Sequence, residues 1–236
     1  MEDTQEVQLS TGAKLGLIFT NPTRVFESLT KKPDWLIPTL IIVILSVASA
    51  YFLRDITMEM QKERILASEN IPEEQKDAIL QQFDQGGNMQ VIMGMVGAVV
   101  FVFASFAIVA ALFMFTGNVV LGGQANYKTM LAVYAWGFMA SVPEAIIKIP
   151  LMLAKNSIHV YTSLAIFFDT SESETVLFKI ANAVDIFALW RVALWAIGFG
   201  VVYKFTQGKS YAVIGAWYVI WVVVSIGLSS LFQGFM

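Results

Sequence analysis

The stretch Tyr127–Lys155 constrains this chain more than any other. It is apolar enough to cross a bilayer, yet it carries Pro143, Glu144 and Lys148 where a span normally excludes charge. An ionisable side chain at the centre of a membrane helix costs roughly 3 kcal/mol on insertion scales, so partners within the protein must offset it. Of 236 residues, 57% are hydrophobic and 14% charged; a soluble domain would be about 25% charged. Several runs approach the roughly 20 residues that a membrane helix needs. The predicted fold class is all-α: a polytopic membrane helical bundle of five transmembrane helices, with amphipathic interfacial helices at the N-terminus.

The formal net charge of −3 gives no clustered basic surface for phosphate, which excludes nucleic acid as a partner. With no Cys, the chain has no disulfide, thiolate metal site or Cys nucleophile. His159 is the single histidine, without a second imidazole or a Ser nucleophile beside it, so neither a metal site nor any other cofactor site is expected. Gly122-Gly123 lacks the Gly-Lys-Ser context of a phosphate loop and reads as a turn. No catalytic pairing is visible, and the chain is expected not to be an enzyme. Met1–Ser10 is acidic and polar, unlike the basic start of a cleavable export signal.

Along the chain, residues 1–34 form a cytoplasmic or interfacial amphipathic segment, and residues 35–236 form the membrane domain. Ser10 or Thr11 can cap a first helix with Leu15, Ile18 and Phe19 on one face. Asn21-Pro22 caps a second, carrying Val25, Phe26 and Leu29. With Lys14, Arg24, Lys31 and Lys32 among them, the pair could lie in the lipid headgroups or form a packed lid on the bundle.

Lys31-Lys32-Pro33-Asp34-Trp35 marks a membrane boundary, and a first span follows from Trp35 to Leu53. Arg54–Asn88 is a polar, acid-rich excursion with two helical stretches that Gly86-Gly87 brings to an end. The second span falls within Met89–Val120, the third runs over Tyr127–Lys155 and is kinked by Pro143, the fourth covers Val176–Phe205, and the fifth covers Tyr211–Phe235. Between the third and fourth, Asn156–Thr175 is too short and mixed to span and reads as re-entrant or interfacial.

With the N-terminus cytoplasmic, the inner side collects Lys14, Arg24, Lys31, Lys32, Lys128, Lys204 and Lys209, and the outer side holds its cations amid many carboxylates. The positive-inside bias therefore places the N-terminus inside and the C-terminus outside.

Asn21-Pro22-Thr23-Arg24-Val25-Phe26, then Lys32-Pro33-Asp34-Trp35-Leu36-Ile37-Pro38, then Gly122-Gly123-Gln124-Ala125-Asn126-Tyr127-Lys128 leading into Leu131-Ala132-Val133-Tyr134, together with Pro143, carry a family likeness. On these residues the chain resembles the YIP (Ypt-interacting protein) domain family of integral membrane proteins, as a short member of prokaryotic type. The resemblance implies a multi-pass, five-span fold with a cytosolic N-terminus, in the inner membrane if the source is prokaryotic. Eukaryotic members are associated with Rab-type GTPases and vesicle traffic. Only Met1–Asp34 precedes the first span here, so it is the architecture that the resemblance carries over.

Glu144 and Lys148 stand four residues apart on one helical face. Asp185 and Arg191 lie on the next, antiparallel span. At about 1.5 Å per residue, Glu144 and Arg191 fall about 20 Å from the cytoplasmic ends, and Lys148 and Asp185 about 28 Å. The four charges are expected to cancel across two helices. Such a network is either a structural clasp that fixes helix pairing or the lining of a cavity for an ion, proton or small polar solute. Asn118 and Asn182 are expected as interhelical hydrogen-bond partners. Two functions follow: a membrane organiser that recruits another membrane protein or a second copy of itself as a homo-oligomer in the lipid bilayer, or a channel or transporter using the charged interior.

Overall fold

A computed structural model describes residues 9–68 and 70–233. Most of Met1–Ser10, the acidic Glu69 and the predicted end of the fifth span at Phe235 lie outside the described residues. Among the described residues the regular structure is helical, with a single isolated β-bridge. The helices are α1 (Thr11–Thr20), α2 (Pro22–Lys31), α3 (Leu36–Phe52), α4 (Arg54–Ala67), α5 (Glu73–Gln85), α6 (Gly87–Phe115), α7 (Tyr127–Gly137), α8 (Ser141–Lys155), α9 (Val176–Ala183), α10 (Ile186–Tyr203) and α11 (Gln207–Gln233).

Among the described residues, four stretches are long and apolar enough to cross a membrane: Met89–Val120, Tyr127–Lys155, Ile186–Tyr203 and Gln207–Ser229. The fifth candidate is α3, whose continuation into α4 bends by 60° at Leu53. The predicted boundaries at Leu53, Met89, Val120, Tyr127 and Lys155 fall within a residue or two of the observed ones.

One boundary differs. The predicted fourth span Val176–Phe205 is broken, because α9 stops at Ala183 and the span proper begins at Ile186. Lys179 and Asn182 therefore lie outside it, on a short helix of their own. As predicted, Gly86-Gly87 ends the second helix of the excursion: α5 stops at Gln85 and α6 starts at Gly87. The third span runs on through Pro143 as one candidate crossing, Tyr127–Lys155. It tightens into a 3₁₀ turn over Phe138–Ala140, and Pro143 sits in the first turn of α8. Proline has no N–H to offer the carbonyl four residues earlier, that of Met139, so the irregularity appears one turn before the ring that causes it.

The chain divides into two compact units, each assembled from parts of several helices. One comprises the chain up to Ile41 with Phe103–Ser141 and Ala188–Tyr218; the other comprises Ile42–Val102, Val142–Phe187 and the chain from Val219.

The first unit is built around α7, which is buried throughout Thr129–Gly137. Asn126 starts this helix by accepting from the Thr129 N–H at 2.8 Å. Against it pack Phe106 and Phe113 of α6 and Trp195 of α10, with the Tyr134 and Trp195 rings stacked at 4.7 Å. Ser10 caps α1 through the Ala13 N–H, and Asn21 caps α2 with Pro22 at its first position, as predicted. Ile18, Val25, Phe26 and Leu29 are fully buried, so α1 and α2 form a packed lid on this unit.

In the second unit α4 and α5 make the predicted hairpin, and α8 leads into an irregular lobe, Asn156–Thr175, that ends in α9. The large side chains left uncovered on the spans are apolar: Val100, Phe101 and Ile108 of α6, and Val219, Trp221 and Val223 of α11, are each at least 60% exposed. Soluble proteins do not present such surfaces, whereas lipid covers them at no cost.

Candidate functional site

Asp185 is the residue on which the second unit's polar groups converge. It occupies the position before α10, and its Oδ1 accepts from the Phe187 N–H at 2.8 Å, satisfying an orphan donor of the helix start. Its other oxygen, Oδ2, accepts from Thr162 Oγ1 at 2.5 Å and from Lys148 Nζ at 3.1 Å. Lys148 Nζ also lies 2.7 Å from Glu144 Oε1, one turn earlier on α8. One ammonium thus bridges two carboxylates, and all three side chains are less than 20% exposed.

The backbone holds the cluster from a second direction. Ser163 and Asp185 form the isolated antiparallel bridge, the Leu164 N–H donates to the Val184 carbonyl, and the Ile186 N–H donates to the Thr162 carbonyl. Ser163 Oγ donates to Asn182 Oδ1 at 2.9 Å. The break between α9 and α10 is therefore occupied by a strand-like segment of the lobe, which explains why the apolar run over Val176–Phe205 does not form one helix.

Of the predicted charged residues, Glu144, Lys148 and Asp185 are brought together in this unit. Lys148 serves both acids, whereas depth alone had paired it with Asp185. Arg191 lies in the other unit, where its guanidinium donates to Ser141 Oγ at 3.1 Å and stands 5.6 Å from the Phe138 ring centroid. Asn182 bonds within the lobe and not between spans. Thr162 and Ser163 carry no pattern that singles them out in the sequence. Asp185 does have a signal: an acid directly before an apolar helical run is an N-cap, which would have ended the fourth span there.

Asn118 forms a second polar node, in the first unit, on the π-helical turn Thr116–Val120. Its amide donates to the Ala125 carbonyl at 2.9 Å and accepts from the Ala125 N–H at 3.0 Å, closing the tight connection before α7. Tyr203 Oη donates to the same Asn118 Oδ1 at 2.8 Å. The connection passes so close to Tyr203 that a Cβ on Gly117 or Gly123 would stand 2.0 or 2.4 Å from ring atoms, and Gly122 has φ +70°. Gly122, Gly123, Ala125 and Asn126 are thus each explained: a left-handed turn, a close approach, a clamped peptide and a helix cap.

A third node was concealed by its charge. Lys14, read as part of a basic headgroup face, is 3% exposed. Its Nζ lies 2.6 Å from Asp34 Oδ2, and Trp136 Nε1 donates at 2.8 Å to Asp34 Oδ1 and also to the Asp34 carbonyl. This triad ties the lid and the boundary before α3 to the C-terminal end of α7.

These arrangements satisfy polar groups in an apolar medium, and among the described residues no three His, Asp or Glu side chains converge as a metal set would require. Long apolar helices with lipid-compatible exteriors and inward polar nodes define a polytopic helical membrane protein. The family profile described as Yip1 domain matches residues 15–231, and the chain belongs to that family. No curated protein and no solved structure matches it.

Proposed function

We infer that this Yip1-domain protein is a non-catalytic organiser of the membrane, which recruits a membrane protein partner or a second copy of itself, with its N-terminus in the cytoplasm and its C-terminus outside. The observation that supports this reading is the closure of the Asp185 cluster. Lys148 is shared by two acids, and Asp185, directly before the fourth span, also accepts from Thr162 and from the start of α10. Charges satisfied in this way serve as a clasp that fixes how the lobe meets α8 and α10.

The test is direct. Purified protein reconstituted in vesicles should pass neither protons nor small ions, and cross-linking in native membranes should trap a stable complex. Flux that disappears on Glu144→Gln would instead establish a channel or transporter that uses Glu144.

A further inference from the structure

The lobe between α8 and α10 has two apolar sides where one would suffice. Its own small core is made by Val160, Ala165, Phe178 and Ala181, each no more than 9% exposed, with the Phe178 ring packed edge-on against Tyr161 and Phe168. That core uses one face of α9. A second row, Leu177 and Ile180 of the same helix with Val184 at its C-cap, is uncovered. Beside it, the 3₁₀ turn Leu164–Phe167 projects Ile166 and Phe167, which are 64% and 83% exposed.

The chain on either side indicates what covers this surface. The lobe leaves the membrane at Lys155, the end of one span, and returns at Ile186, the first residue of the next, so both tethers lie at one bilayer boundary. The exposed row on α9 runs on into Ile186, which is 64% exposed as the lipid-facing start of α10, and Leu151 and Leu153 near the end of α8 are also uncovered. The surface is thus continuous with the lipid-facing sides of two spans. The acids are gathered elsewhere in the lobe, at Asp169, Glu172 and Glu174, and Glu174 holds the one cation of α9, Lys179, at 3.2 Å.

We propose that the Leu164–Phe167 turn and the exposed Leu177/Ile180/Val184 row form a wedge that enters the acyl region of the leaflet at this bilayer boundary, its partner being lipid. The wedge lies in the interface like an amphipathic helix, about 5–10 Å into the headgroup–acyl boundary. The Asp185 clasp sets its angle, through Thr162 and Ser163 on one side and the start of α10 on the other. This holds whether the protein organises membranes or conducts a solute.

The absence of Cys from the chain makes single-cysteine probing clean. Phe167→Cys, Ile180→Cys and the reference Glu172→Cys are made in the full chain and reconstituted in phosphatidylcholine–phosphatidylglycerol vesicles, with a charged maleimide present on both sides. Thermal transitions matching the parent confirm folding, and Leu177→Cys replaces any variant that fails. Phe167→Cys and Ile180→Cys should react at least about ten-fold more slowly than Glu172→Cys, and a bimane at either position should be quenched by lipids brominated near the carbonyl end of the chain. Labelling as fast as Glu172→Cys at either position overturns the proposal, because that side chain is then in water. Slow labelling without quenching also overturns it, because a second copy or another protein is then the cover.

Discussion

Asp34 and Trp136, 102 residues apart in the chain, meet through two hydrogen bonds from one indole N–H, to the Asp34 carboxylate and to its backbone carbonyl, each at 2.8 Å. Lys14 completes the triad from α1 at 2.6 Å. The start of the first span is thereby held to the most buried helix of its unit and to the lid at once.

Removing one member of this triad strands another. Asp34→Ala leaves a buried ammonium without its carboxylate and should cost about 3 kcal/mol, the lower range for a broken buried pair, since Asp34 keeps some solvent contact. Lys14→Met alone should cost less, and Lys14→Met with Asp34→Asn should recover most of the loss. Thermal unfolding in mild detergent measures each step, and a double variant no better than Asp34→Ala would refute the coupling.

Gly123→Ala should destabilise the connection before α7, because its Cβ would lie 2.4 Å from the Tyr203 ring. Overpacking of this kind costs about 1–3 kcal/mol. Combining it with Tyr203→Ala should remove the clash, so the second substitution costs less in the presence of Gly123→Ala than alone. Tyr203→Phe, which keeps the ring and loses the bond to Asn118, should cost about 1 kcal/mol. A double-mutant cycle on melting temperature reads all three.

At the Asp185 cluster, Lys148→Met leaves two carboxylates without their shared ammonium and should be the most destabilising single change there, by roughly 3 kcal/mol. Adding Asp185→Asn should restore part of the loss. Thr162→Val removes a hydrogen bond to a charged group and should cost about 1.5 kcal/mol. Equal stability of Lys148→Met and the parent would show that the ammonium is not shared.

Asp169 gives a pH dependence outside the membrane. Its carboxylate accepts from the Ser171 N–H at 2.9 Å, and this bond, with the Ser171 side chain, holds it below its ordinary value of 3.8. A depressed folded-state value means that the contribution is present above the ordinary value and disappears as pH falls through the lower one. Asp169→Asn should therefore differ from the parent near pH 6 and converge with it in strong acid, as followed by proteolysis of the lobe. A difference that grew on acidification would contradict this sign.

The readable part of the fold was local. Ser10 and Asn21 announce helix starts because a cap acts within three residues. The spans announce themselves because bilayer thickness demands a long apolar run whatever else the chain does. Glu144 and Lys148 share a helix face by spacing alone. Misreadings arose where distant parts of the chain intervene. Val176–Phe205 is apolar enough for one helix, but the Thr162–Leu164 segment bonds to Val184, Asp185 and Ile186 and takes over the peptides that would have joined α9 to α10. Lys14 resembles any surface lysine until Asp34 is beside it.

From the sequence alone came the class of the protein, the limits of most of its long apolar helices and the caps of its first two helices, since these depend on periodicity, length and contacts within a few residues. The tertiary structure decided which charges meet, where the fourth span begins and why Gly117 and Gly123 must lack side chains. Each of those depends on an approach of a few ångströms between residues tens to a hundred positions apart, and no local pattern encodes such an approach.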